Sequence, residues 1–154
     1  MMEIYYDSIR FLNKEIYFMA SEKGLTYIGV DKKQIQHATL DPKQMMKYKE
    51  EIVAYLNGEL NEFSLATDVN GTALQLEVFA ALKTIPYGET RTYTEIAAQI
   101  KRPKAVRAVG AAIGKNPVLI VIPCHRVIGK NGKLTGYRDG LELKEALLAL
   151  EKTV

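Results

Sequence analysis

Residues 92–126, TYTEIAAQIKRPKAVRAVGAAIGKNPVLIVIPCHR, decide the fold of this chain. Thr92, followed three residues later by Glu95, has the pattern of a capping box, in which each side chain satisfies a backbone N–H near the other. The short helix that follows carries Ile96, Ala97 and Ile100. Lys101 and Arg102 make a turn, and Pro103 stands at the first position of a second helix, where a missing N–H is tolerated. Val106, Val109, Gly110 and Ile113 then recur at i, i+3, i+4 and i+7, which is one apolar face. Gly114 and Asn116-Pro117 stop that helix. Two short helices across a three-residue turn suggest a helix-turn-helix, although many helical hairpins never meet DNA. The remaining face carries Lys104, Arg107, Ala108, Ala111 and Lys115. Small side chains let a helix approach a groove closely, while cations meet the phosphates. Arg107 is long enough to push between base pairs, with a solvated surface arginine as the alternative.

The same stretch ends on the only cysteine of the chain. The apolar run Val118-Leu119-Ile120-Val121-Ile122 reads as a buried strand that Pro123 ends, which would hold the Cys124 thiol rigidly at the mouth of a cleft. His125 supplies a neighbouring base, and Arg126 supplies positive charge that favours thiolate. A small buried hydrophobe is the other role open to a lone cysteine. Asn116, at the turn between the basic helix and this run, can bond backbone on both sides and fix the angle between them. An ordinary helix stop is the alternative.

Working outward, the chain has 154 residues, 47% hydrophobic and 25% charged, which is the composition of a soluble globular protein. No apolar run approaches a membrane span, and the start lacks the basic and apolar regions of a signal peptide. A single cysteine gives no disulfide framework and suits a reducing cytoplasm. Only two histidines, His37 and His125, argue against a zinc cage, so neither metal nor cofactor is expected. Charge is segregated. Residues 1–71 hold eight lysines and arginines against eleven acids, a net of −3; residues 72–154 hold thirteen against seven, a net of +6. From Ile96 to Arg138 there are nine basic residues and no acid, which points to a polyanion near the cysteine, with a solvated basic face as the alternative.

The fold class expected is α+β, with a small antiparallel sheet and helix over residues 1–70 and a mostly helical unit of winged helix-turn-helix type over residues 71–154. Alternation predicts strands at Ile4–Tyr6, Ile16–Phe18 and Leu25–Val30. Asp41-Pro42 should open a helix that reaches Asn57-Gly58, and Phe63-Ser64-Leu65 should return to the sheet. Leu74, Val78, Phe79 and Leu82 mark a helix ending at Ile85-Pro86. Downstream of the cysteine, residues 129–133 read as a hairpin turn and residues 134–140 as a glycine-punctuated loop. There Tyr137 can wall a planar ligand or simply pack under the loop. The last helix spans Leu141–Lys152. On it Glu151 continues the Leu143, Leu147 stripe at a helix C-terminus, where a carboxylate needs a partner. His125 is the best candidate, which makes a Cys124–His125–Glu151 relay, with His125 reaching the sulfur through a water. An exposed glutamate on a fraying helix end is the alternative.

The ordered set Ile85-Pro86-x-Gly88, Thr92-Tyr93-x-x-Ile96-Ala97, Arg107-Ala108-Val109-Gly110, Asn116-Pro117, Ile122-Pro123-Cys124-His125-Arg126-Val127 and Gly136-Tyr137 resembles the O6-alkylguanine-DNA alkyltransferases. The resemblance covers about residues 74–152. It implies irreversible, single-turnover transfer of an alkyl group from O6 of guanine, or less readily O4 of thymine, to Cys124. It also implies minor-groove binding of double-stranded DNA and flipping of the damaged nucleotide. By position Tyr93 matches the residue that rotates the phosphate and donates toward the leaving base, Arg107 the finger, and Asn116 the hinge. Backbone groups of Cys124, Val127 and Arg138 match those that read guanine. Lys104, Ala108, Ala111, Lys115 and Arg126 join the expected DNA face, and Tyr93, Val127, Tyr137 and Arg138 the pocket. A monomer without membrane association is expected, with cooperative assembly on DNA left open. Asp139 stands where glycine is frequent and Leu119 where some members have proline. A helix-turn-helix regulator that uses Cys124 as an alkylation or redox sensor is the competing reading.

Overall fold

The computed structural model describes residues 3–152. The chain forms two compact units, Met1–Val69 and Asn70–Val154. In the first, β1 (Tyr5–Phe11), β2 (Lys14–Ser21) and β3 (Gly24–Gly29) make an antiparallel meander. Leu12 and Asn13 both take positive φ, 55° and 59°, the two-residue turn whose twist matches paired strands. Alternation puts Ile16, Phe18 and Ala20 of β2 in the core. A short β4 (Thr39–Leu40), not foreseen from sequence, adds to β1 in parallel, giving the order β3-β2-β1-β4.

Two expectations for this unit need correction. Helix α1 runs Met46–Leu56, not from Pro42. Residues 42–45 are a turn in which the Asp41 carboxylate accepts from Gln44 N–H at 3.1 Å, so Asp41 caps the approach to the helix. Phe63-Ser64-Leu65 does not pair; the return to the sheet comes at Thr67, bridged in parallel to Leu25. Gly24 makes that approach possible. A Cβ there would lie 2.6 Å from the Ala66 carbonyl oxygen, and its φ is +149°.

The second unit is built from α2 (Ala73–Lys83), β5 (Arg91–Thr92), α3 (Tyr93–Gln99), α4 (Val106–Gly114), β6 (Val127–Ile128) and α5 (Leu141–Glu151). Capping boxes start α2, with Thr72 and Gln75, and α3, with Thr92 and Glu95. Helix α2 packs on α3 and α4. Strands β5 and β6 pair in parallel, Arg91 with Val127 and Thr92 with Ile128. This short ladder pins the start of α3 beside the residues that follow the cysteine, and so positions the site.

Three expectations differ here. Helix α4 begins at Val106, because residues 103–105 form a turn after Lys101 enters the left-handed region at φ 63°. Val118–Ile122 is buried but is no strand. The Asn116 side chain donates to the Ile122 carbonyl at 2.8 Å and accepts from Val118 N–H at 3.0 Å, curling the run into turns, with Ile120 at φ 74°. Residues 129–133 close a tight turn, Gly129 N–H to Lys133 carbonyl at 2.8 Å, but no hairpin results because residues 133–140 form no strand to return beside β6. Among the described residues no helix is long and apolar enough to cross a membrane.

Candidate active site around Cys124

Cys124, His125 and Arg126 form one 3-10 turn directly after Pro123. All three are buried, Cys124 at 5% exposure and His125 at 0%. Being in a turn, they do not alternate as extended chain would; side chains of successive 3-10 residues diverge by about 120°, so the backbone does not by itself require a water between His125 and the sulfur. Helix α5 brings Glu151, 2% exposed, beneath the turn. Its carboxylate lies 2.6 Å from His125 Nε2, as the stripe on α5 suggested.

Sequence reading missed the rest of this cluster. Arg126 does not face a phosphate or the sulfur. Its Nε and Nη2 donate to the two Glu151 oxygens at 2.8 and 2.9 Å, its Nη1 donates to the Ile85 carbonyl at 2.6 Å, and its guanidinium lies over the Tyr87 ring. At 7% exposure Arg126 is internal, so the expected DNA contact is withdrawn. Gly88 N–H adds a bond to Glu151 at 3.2 Å. A carboxylate held this way is an acceptor, so His125 carries its proton on Nε2 and keeps Nδ1 as the basic nitrogen. Burial pushes the His125 pKa below its ordinary value and so favours the neutral ring, while the hydrogen bond and charge of Glu151 act in the opposite direction.

Burial also pushes the Cys124 thiol up to about 11, against the lowering effects of the Asn116 side chain and of the Arg138 and Lys144 charges. The resting sulfur is therefore a thiol, and the cations that act on it are Arg138 and Lys144. Lys144 is a second residue that sequence reading overlooked. At 1% exposure its ammonium donates to the Val127 carbonyl at 2.7 Å and to the Thr135 carbonyl at 3.2 Å. Burial lowers its pKa, and Cys124 opposes that. Its position could have been found: Lys144, Leu147 and Glu151 share the i, i+3, i+7 stripe of α5.

Arg138 reaches from the loop over residues 134–140 to the Asn116 carbonyl, Nη1 to oxygen 2.6 Å. Asp139 accepts from Nε and Nη2 of Arg138 at 3.1 and 3.2 Å. Its charge is thereby matched beside the pocket loop.

Similarity to known proteins extends over nearly the whole chain. Residues 4–69 match the ribonuclease-like domain of 6-O-methylguanine DNA methyltransferase, and residues 73–153 match the DNA-binding domain of the same family. A Bacillus subtilis protein named methylated-DNA–protein-cysteine methyltransferase, inducible, is 44% identical, covering 97% of this chain and 90% of its own. This chain belongs to the 6-O-methylguanine DNA methyltransferase family. A Methanosarcina barkeri protein named methylated-DNA–protein-cysteine methyltransferase is 45% identical, covering 97% of this chain and 98% of its own. Among solved structures, a Mycobacterium tuberculosis O6-methylguanine methyltransferase superposes with a TM-score of 0.89 at 44% identity, covering 97% of this chain and 93% of that one. The OGT of the same organism, solved in complex with DNA, gives 0.88 at 46%, covering 96% and 92%.

In this member of the methyltransferase family the residues expected on the DNA face, Arg126 excepted, lie exposed on α4 and just beside its two ends. Lys104, Arg107, Ala108, Ala111 and Lys115 are all exposed, while Val109, Ala112 and Ile113 fill the opposite face of α4. Tyr93, half-buried at the start of α3, lies beside Gly110 of α4 and hydrogen-bonds Thr135 across to the pocket loop. Val127 is fully buried and Tyr137 half-buried. Among the described residues no group of three His, Cys, Asp or Glu side chains could hold a metal ion.

Proposed function

We propose that this protein repairs DNA by direct reversal: Cys124 takes the alkyl group from O6 of an alkylated guanine, or less readily from O4 of thymine, once per molecule. The observation that carries the reading is the buried Cys124-His125-Arg126 turn, with His125 held to Glu151 at 2.6 Å. Nε2 is committed to the carboxylate, so the sulfur's proton goes to Nδ1, directly or through a water, and Glu151 stabilises the imidazolium that results. Sulfur attacks the alkyl carbon in line as the C–O6 bond breaks, and the electron pair stays on guanine, which is then protonated. The burial that disfavours the thiolate also strengthens it as a nucleophile, since intrinsic nucleophilicity rises with thiol pKa. The thioether product is neutral, incurs no such desolvation, and is a poor leaving group. One turnover follows from that asymmetry.

Residues 71–154 bind double-stranded DNA through the minor groove and accept the alkyl group, and residues 1–70 serve as scaffold. The exposed cationic α4, with alanines between the cations, supports close approach to a groove, and Arg107 fills the place of the extruded nucleotide. Asn116 sets the angle between α4 and the cysteine turn. Tyr93 donates toward the leaving base, with Val127, Tyr137 and Arg138 around it. The protein acts as a monomer in the cytoplasm, which a single reduced cysteine supports. A count of repaired lesions against protein tests this reading. Excess duplex containing O6-methylguanine should be repaired to one equivalent of protein and no further. Continued turnover would sink the single-use mechanism, and no repair at all would sink the activity.

A further inference from the structure

Thr135 sits on the pocket loop, and each of its parts is engaged. Its methyl group packs against Gly129, where an added Cβ would come within 3.1 Å of it. Its carbonyl receives the Lys144 ammonium at 3.2 Å, and its hydroxyl lies 2.6 Å from the Tyr93 hydroxyl. Tyr93 is itself fixed: it follows Thr92, which both caps α3 and pairs with Ile128. Two hydroxyls on rigid supports at 2.6 Å share one proton between their oxygens, and the direction of that bond decides where the other proton points.

We propose that Thr135 is a positioning residue that donates its hydroxyl proton to the Tyr93 oxygen and so turns the phenolic proton toward the flipped base. The inference rests on the proposed alkyl transfer and deepens it. A tyrosine whose own proton were given to Thr135 would have none to offer the leaving guanine. A tyrosine oxygen that accepts a hydrogen bond is a stronger donor through its remaining O–H. As the methyl carbon passes to sulfur, the electron pair left on guanine takes the phenolic proton. The oxygen of Tyr93 then carries negative charge, and its bond from Thr135 becomes charge-assisted and shorter. The proton that left Cys124 for His125 restores the phenol through solvent, so thiol and O6-methylguanine yield thioether and guanine with no atom unaccounted for.

The test is a cycle of variants read by single-turnover methyl transfer at saturating duplex, with DNA affinity measured separately. Thr135→Val keeps the shape and removes the hydroxyl; it should slow transfer by roughly tenfold, the worth of one such bond, and leave affinity unchanged. Thr135→Ser restores the hydroxyl and should restore the rate. In a Tyr93→Phe background Thr135→Val should cause no further loss, because the bond it removes is already gone. Thr135→Ala, which adds no bulk to the loop, repeats the comparison should valine disturb folding. Wild-type rates in Thr135→Val and Thr135→Ala, or an equal loss with and without the Tyr93 hydroxyl, would overturn the inference while leaving alkyl transfer standing. A wild-type protein that moves no methyl group would overturn both.

Discussion

At the scale of single residues, the raised thiol pKa of Cys124 has a signed consequence. With the folded value pushed up to about 11, the thiolate fraction at pH 7 is about one in ten thousand and grows tenfold with each pH unit. Alkylation of the protein by iodoacetamide, without DNA, should therefore accelerate about tenfold per unit between pH 7 and pH 9. A plateau below pH 8 would mean that the cations outweigh burial. Lys144→Met removes one of those cations and should slow alkylation at any fixed pH in that window, its thermal transition being measured alongside. Glu151 has a structural role as well as the proposed chemical one. Glu151→Ala leaves the Arg126 guanidinium buried without its carboxylate and should cost about 3–5 kcal/mol in urea denaturation. A loss within the range of an exposed ion pair, below about 1 kcal/mol, would contradict the buried network.

At the scale of elements, the parts that were legible in the sequence are those with local causes. The capping box of α3 and the apolar face of α4 depend on residues within two turns of one another, and both stand where expected. Val118–Ile122 shows the limit, because a continuous apolar run states burial without stating shape. Its curl depends on the Asn116 amide, whose bonds to Val118 and Ile122 leave no periodic trace. The stripe on α5 aims Glu151 at the cysteine turn, but nothing local shows that Arg126 as well as His125 meets it there. Asn116→Ala should leave the Val118 N–H and Ile122 carbonyl buried without their partner, each loss being worth about 1–3 kcal/mol. Thermal unfolding should record it, and an unchanged transition would refute the hinge. On α4, Arg107→Ala should reduce methyl transfer from duplex more than it reduces affinity for undamaged DNA; equal reductions in rate and binding would count against the finger.

At the scale of the whole molecule, charge is divided along the chain, with an excess of acids in residues 1–71 and of bases in residues 72–154. Affinity for undamaged duplex should fall steeply as salt rises, because the cations release counterions on binding. The rate of iodoacetamide capture by Cys124, whose surroundings are internal, should hardly respond to the same salt. The reaction itself rests on a buried thiol that receives carbon and keeps it. Its most direct test is to incubate the intact protein with duplex bearing one O6-methylguanine, digest it, and weigh the peptides. One methyl group on the peptide containing Cys124, at no more than one per chain, is expected, and Cys124→Ala should bind the same duplex and gain nothing. Repair of the lesion with the Cys124 peptide unmodified, or with the methyl group on any other residue, would contradict the mechanism.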